Sequence, residues 1–349
     1  MKGLLFRAAT RTLFHSRAIN VVNRCANVYE FAADGSAPVF PYIRKRRGRN
    51  LQILIYHRVN DEGDQFFPGI PTGVFARQME YLASHWNVLP LEDALERVKR
   101  KDVPDNAMAI TFDDGYRDNF LHAFPILKKL SLPATIFLAT GVIGTGRTLW
   151  HDRVFSAFRE TRVPVLTGMP SESDQYDLQT IESKLAAQGK ILRFIWSLDE
   201  DDRTRWIDRL REKLQVSDHQ DASKSMLTWD EIRLMHGQGV SFGAHTVTHP
   251  ILSKLPSHRA LEELQQSKAT IERELQAPVR TFAYPIGRRE DYSEDTKRFV
   301  REAGYTCALT TVPGTNTDEA NPFELRRATP WDEDIAGFAF RLNLMKWAS

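Results

Sequence analysis

"AMAITFDDG", residues 107–115, decides the fold. A six-residue run, apolar but for Thr111, leads without a break into two adjacent carboxylates, Asp113 and Asp114, and then into Gly115. A short, largely apolar run of this kind reads as a strand buried on both faces, which belongs in a parallel sheet covered by helices. Working outward, the same character returns in "LQILIYHRV" (51–59), "PATIFLAT" (133–140), "VSFGAHT" (240–246), "VRTFAYPIG" (279–287) and "YTCALTT" (305–311). Between these runs lie helical patterns. "GVFARQMEYLASHW" (73–86) sets Phe75, Met79 and Leu82 on one face, and helices are also predicted over 119–131, 228–239, 259–276 and 294–304. Alternating strands and helices predict an α/β fold with a parallel sheet, open or closed into a barrel. Residues 145–227 break the rhythm: they read as a polar, helical insertion with no strand, its best helices at 182–198 and 203–215.

The chain has 349 residues, 42% hydrophobic, with a formal net charge of +2. Near-neutral charge points to no polyanionic partner, so nucleic acid is not expected. Residues 1–50 hold ten Lys and Arg against Glu30 and Asp34, a net of +8 that leaves the remainder at −6. The chain is therefore divided into a basic arm and linker (1–50) and a folded body (51–349). Arg7, Arg11, Arg17 and Arg24 interrupt the apolar residues of the arm, which leaves no signal-peptide core. No run approaches the ~18 apolar residues of a membrane span. A cytoplasmic location is expected, with the arm read either as a helix on an anionic inner membrane face or as a helix packed on the body. Cys25 and Cys307 are the only cysteines, too few for a disulfide framework or a thiolate metal site.

In parallel sheets the reactive groups sit on loops at the carboxyl ends of the strands. Those positions carry His57, the pair Asp113 and Asp114, the pair His245 and His249 in "HTVTH", and Tyr284, Pro285 and Gly287 in "YPIG". Histidines at i and i+4 face one ion if the segment makes about one helical turn. With one carboxylate they form an Asp/His/His set with open positions, the pattern of a catalytic zinc or similar divalent site. The second carboxylate is then free to accept a proton from water acidified by the cation. Gly115 lets the backbone turn sharply beside the ion.

"ITFDDGYRDN", "FGAHTVTHP" and "FAYPIG", supported by "ILIYHRV" and "LPATIFLATG", resemble the polysaccharide deacetylases, the NodB-homology or family 4 carbohydrate esterases, over residues 51–335. The resemblance implies a distorted (β/α)7 barrel and removal of acetyl groups from glycans, as a hydrolase of carbon–nitrogen bonds other than peptide bonds. It implies Asp113 as general base, and Asp114, His245 and His249 as ligands of a divalent cation, Zn2+ first, with Co2+, Ni2+ or Mn2+ as alternatives. The N–H of Ile286 would stabilise the oxyanion. Tyr116, Tyr284, Pro285 and Trp331 would contact the sugar, and Trp150 and Trp229 are further stacking candidates. Thr246 and Thr248 are expected to shape the turn. The sequence departs from the family twice. Ala283 stands where many members carry an arginine paired with the base, leaving Arg280, Arg326 or Arg327 to replace it. No histidine follows His258, so His57 is taken as proton donor or oxyanion partner. The expected substrate is an acetylated glycan, with N-acetylhexosamine units of an exopolysaccharide or cell-wall glycan foremost. The alternatives are a metal-dependent amidohydrolase acting on a small non-sugar amide and an inactive glycan-binding domain.

Overall fold

The structure, a computed structural model, describes residues 50–169, 175–217, 225–329 and 332–347. The basic arm, up to residue 49, and Trp331 lie outside the described residues. Strand β1 (Leu51–Tyr56) leads to α1 (Thr72–His85), the short β2 (Asn87–Val88), α2 (Leu91–Arg100) and β3 (Ala107–Phe112). A π-helical turn (Asn119–Ala123) runs into α3 (Phe124–Lys129) and then β4 (Thr135–Leu138). The chain next leaves the sheet for α4 (Trp150–Glu160), β5 (Val165–Thr167), β6 (Gln175–Asp177), α5 (Ile181–Ser197) and α6 (Glu200–Lys213). It returns through α7 (Trp229–His236), β7 (Ser241–Ala244), α8 (Ser257–Leu275), β8 (Thr281–Ala283), α9 (Glu294–Glu302), β9 (Cys307–Leu309) and α10 (Ile335–Trp347).

The main strands pair in the order β1-β3-β4-β7-β8-β9, all parallel, with β2 also alongside β3. Residues 325–328 close the ring. Leu325 bonds to β9 (Thr310 N to Leu325 O, 2.8 Å), and Ala328 bonds to β1 (Ile55 N to Ala328 O, 3.0 Å; Ala328 N to Ile53 O, 2.8 Å). Six strands and this segment make the distorted (β/α)7 barrel. Strand periodicity divides the burial. Leu54 and Tyr56 of β1 join the main core with Phe75, Met79 and Leu82 of α1, while Leu51 and Ile53 join a separate cluster with Leu91, Leu95 and Val98 of α2. Each such side chain contributes about 1.5–3 kcal/mol when fully buried.

The sequence reading assigns no element to 91–100 or 335–347, and both are helices. The α2 signals are present in the sequence: Glu92 and Asp93 in the first turn, Lys99 and Arg100 in the last. In α10, apolar residues on all sides obscure the helical period, and Ala336, Phe338, Ala339 and Leu342 are all buried. The insertion is not wholly helical either. β5 and β6 pair antiparallel, but at three residues each, with one inward side chain apiece, they are too short to show alternation. The insertion has a hydrophobic core of its own around Val154, Phe158, Ile191, Ile195 and Leu210, against which Phe66 and Ile286 of the barrel loops pack.

Candidate active site

The chemistry-bearing residues lie where the parallel strands end. The Asp113 N–H donates to the Tyr56 carbonyl (3.0 Å), extending the β1–β3 ladder by one step before the chain turns. Asp114 (φ +75°) and Gly115 (φ +83°) make the turn in left-handed backbone. A Cβ on Gly115 would meet Leu138 Cδ2 at 2.9 Å, so glycine is required by space as well as by conformation. The histidine segment turns differently from expectation. It makes no helical turn; Thr246 (φ +68°) and His249 (φ +59°) reverse the chain instead. The Glu263 carboxylate of α8 holds this reversal by accepting from the N–H groups of Val247 (2.7 Å) and Thr248 (2.9 Å) and from the Thr248 hydroxyl (2.7 Å). Thr246 Oγ1 accepts from the His249 N–H (3.1 Å). Both threonines thus shape the turn.

These turns bring Asp114, His245 and His249 together, all buried, with one candidate ligand atom from each within 4.8 Å of the others. Asp114 Oδ1 lies 3.4 Å from His245 Nε2 and 3.3 Å from His249 Nε2, and it has no good hydrogen-bond partner. A buried carboxylate oxygen without a partner, facing two imidazole nitrogens, is the arrangement a divalent cation satisfies. His245 Nδ1 lies 2.7 Å from the Ala283 carbonyl, so it carries the proton and turns the Nε2 lone pair toward Asp114. Burial opposes ionisation of Asp114, but the two neighbouring imidazoles outweigh it and hold its carboxyl well below the usual carboxylate range. Burial pushes His249 down to about 4, keeping it neutral at pH 7, as a ligand must be. For His245 burial also acts downward, but the Asp113 and Asp114 carboxylates outweigh it and raise its pKa.

Asp113 points to Arg327. The guanidinium grips it with two bonds (Nη1 to Oδ1 2.7 Å, Nη2 to Oδ2 2.6 Å), with both side chains essentially inaccessible to solvent. Arg327 also donates from Nε to the Thr310 carbonyl (2.8 Å). Burial favours a neutral Asp113, yet Arg327 wins and holds the carboxyl below its ordinary value. Of the three arginines considered, then, Arg327 is the partner, delivered by the segment that closes the barrel. Arg280 pairs with Glu92 at the surface, and Arg326 is exposed beside Gly314. Ala283 fills the strand position in the core, and its carbonyl meets His245.

A cavity of about 140 Å³ covers these groups. Its floor is His57, Asp113, Asp114, His245 and His249; Ile286 and Thr311 form one side, and Phe67, Phe155, Leu192 and Trp196 make an apolar roof. Ile286 has φ +60°, unusual for a β-branched residue, and its carbonyl accepts from Thr311 Oγ1 (2.8 Å). Three expectations for sugar contact need correction. Tyr116 is buried, and its hydroxyl lies 2.9 Å from Asp152 Oδ1 and 3.0 Å from His151 Nε2, making it a strut beneath the roof. Tyr284 is also buried, bonded to the Phe323 carbonyl (3.0 Å) and stacked on Tyr292; Pro285 beside it is buried as well. Neither lines the cavity. Trp150 is buried and donates from its indole to the His249 carbonyl (2.9 Å), while Trp229 packs on the barrel's main core.

The sequence reading missed His151, which lines the cavity with Nε2 4.0 Å from Asp114 Oδ2, and its neighbour Asp152. Burial pushes His151 down to about 4 and Asp152 up to about 7. The available signal was a Trp-His-Asp triplet (150–152) at the head of an amphipathic helix, after the glycines of "TGVIGTG" (140–146).

Comparison with known proteins agrees with this geometry. Residues 100–308 match the sequence model of the polysaccharide deacetylase family. The chain is 22% identical over 288 residues to YxkH of Bacillus subtilis (strain 168), covering 82% of this chain and 73% of that protein. It is 28% identical over 150 residues to the poly-beta-1,6-N-acetyl-D-glucosamine N-deacetylase of Staphylococcus aureus (strain MSSA476), covering 42% of this chain and about half (51%) of that relative. Among solved structures, the Streptococcus pyogenes deacetylase PplD, in complex with acetate, superimposes with a TM-score of 0.58 at 18% identity, over 85% of this chain and 99% of that one. Fold, strand-end chemistry and profile lead to one assignment: the chain belongs to the polysaccharide deacetylase family of hydrolases.

Proposed function

We propose that the protein is a metal-dependent N-deacetylase that hydrolyses the acetamido group of N-acetylhexosamine units in a glycan. The observation that carries this reading is the pairing of two differently treated carboxylates. Asp114 is turned to two imidazoles, and Asp113, next to it, is locked ionised by Arg327. Asp114, His245 and His249 would hold a divalent cation, Zn2+ foremost, which when bound polarises the acetyl carbonyl and acidifies water. Asp113 accepts the proton of the attacking water. Its two-point contact with Arg327 fixes both carboxylate oxygens, so its basicity is low but its placement is precise in angle and distance. The Ile286 N–H, on its left-handed turn, faces the developing oxyanion, and His57, on the cavity floor, protonates the leaving amine or shares the oxyanion. The apolar side chains of the roof receive the acetyl methyl.

The test is acetate release from a panel of N-acetylglucosamine oligomers, with and without chelator. Release that chelator stops and added Zn2+ or Co2+ restores is the expected outcome. No release from any glycan at full metal occupancy would refute the reading. The roofed cavity of about 140 Å³ favours one second reading, hydrolysis of a compact non-sugar amide. Release from small amides but not from oligomers would select it.

A further inference from the structure

The two histidines of the cluster are held in different ways, and the difference points to the insertion. His245 is fixed through its ring, Nδ1 to the Ala283 carbonyl at 2.7 Å, by the barrel. His249 has no such bond: its Nδ1 is buried without a partner. Its backbone is left-handed, at φ +59°, a conformation that strains a non-glycine residue and persists only where neighbours over-determine it. What fixes it is backbone and packing. Its N–H goes to Thr246 Oγ1 (3.1 Å), and its carbonyl accepts from the indole N–H of Trp150 at the head of α4 (2.9 Å). The His151 ring then packs edge-on against the His249 ring, with centroids 5.0 Å apart. The third residue of the same turn, Asp152, reaches the other ligand-bearing loop. Its Oδ1 accepts from Tyr116, two residues beyond Asp114, while its Oδ2 accepts from the Leu149 N–H (3.3 Å) and so ties off the start of the helix. Behind Trp150, Arg203 of α6 lies over the indole ring, 4.9 Å from its centroid.

We infer that the first turn of α4, Trp150-His151-Asp152, is a positioning clamp for the cation site. It spans the Asp114 and His249 loops, and through it the insertion sets the affinity for the metal. The inference rests on the functional reading above only in that Asp114, His245 and His249 bind a divalent cation. Trp150 and Asp152 do not touch the reacting atoms; they act through His249 and through Tyr116.

The experiment is titration of the full chain, freed of metal, with Zn2+ against a chromophoric chelator. Trp150→Phe removes the indole N–H but keeps an aromatic ring in place. It is expected to bind Zn2+ tenfold or more weakly, within the range of about 10–100-fold for losing an outer-shell partner. The melting temperature of the metal-free protein should change little. Trp206→Phe, in the same insertion but away from both loops, should match the unaltered protein in Zn2+ affinity. A merely structural role for Trp150 would lower the metal-free melting temperature and leave the Zn2+ affinity unchanged, and that result overturns the inference. If Trp150→Phe does not fold, Tyr116→Phe, which cuts the Asp152 connection, decides by the same measurement: weaker binding supports the clamp, equal binding overturns it. If the unaltered chain binds no Zn2+, the functional reading itself fails; if it binds and the variants bind equally, the clamp alone fails.

Discussion

The barrel and the insertion meet over one cavity, and they build their halves by different rules. Apart from Phe67 and the Ile286 side chain, the barrel half is polar, with its groups at the ends of parallel strands: His57 after β1, Asp113 and Asp114 after β3, His245 after β7, the Ile286 N–H after β8. Its positions are set by topology, because every strand of a parallel sheet releases its chain at the same face. The insertion half is mostly apolar (Phe155, Leu192, Trp196), and its side chains come from helices with a separate core. Chemistry is thus assigned to the part whose geometry the sheet enforces, and shape to the part that can vary without disturbing the sheet. Among the described residues, His151 is the one insertion residue that carries a titratable group into the cavity.

The comparison can be broken from the barrel side first. Asp113→Asn should lower deacetylation by about a thousandfold or more, near the upper end of what a general base supplies, while Zn2+ binding persists. Steady-state acetate release beside metal analysis reads both, and undiminished turnover would remove Asp113 from the mechanism. Arg327→Lys comes next, since it replaces a two-point grip with a point charge. Turnover is expected to fall about ten- to a hundredfold on loss of this alignment. The sign of the pH effect follows from the shift. Arg327 holds Asp113 below its ordinary value, so the carboxylate survives as pH falls. Weakening the grip raises that pKa and should move the acid limb of kcat/KM to higher pH, and an unmoved limb would separate the pair from catalysis.

From the insertion side the effects are smaller and different in kind. Leu192→Ala thins the roof without touching the floor, so KM should rise several-fold with kcat nearly kept. A fall in kcat as deep as that of Asp113→Asn would end the division of labour. The smallest effect is on stability. Burial raises Asp152 to about 7, so the folded chain favours the protonated acid. This contribution to stability is complete below the unfolded carboxyl value near 4 and is lost as pH rises through about 7. In chelator-treated protein, the drop in melting temperature from pH 5 to pH 8 should therefore be smaller for Asp152→Asn than for the unaltered chain. Equal drops would mean that Asp152 does not titrate there.

What the sequence by itself determined is whatever local pattern encodes: the buried strands as short apolar runs, the crossover helices by period, and the Asp-Asp and His-x-x-x-His pairs at strand ends. The family pattern carried the ligand set further, and the structure gathers those residues into one cluster. Only the tertiary structure chose Arg327 over Arg280 and Arg326. The choice depends on residues 325–328 closing the ring between β9 and β1, a pairing across hundreds of positions that no local window contains. It alone turned Tyr116 and Tyr284 inward, because a tyrosine's hydroxyl goes wherever a buried acceptor waits, and Asp152 and the Phe323 carbonyl come from distant segments. It also replaced the helical turn expected at His245–His249 with a left-handed reversal, since that conformation is stabilised by Glu263 and Trp150, from helices on opposite sides of the loop in sequence. Local periodicity reports what a segment prefers alone; side-chain partners are decided by which segments the closed barrel brings into contact.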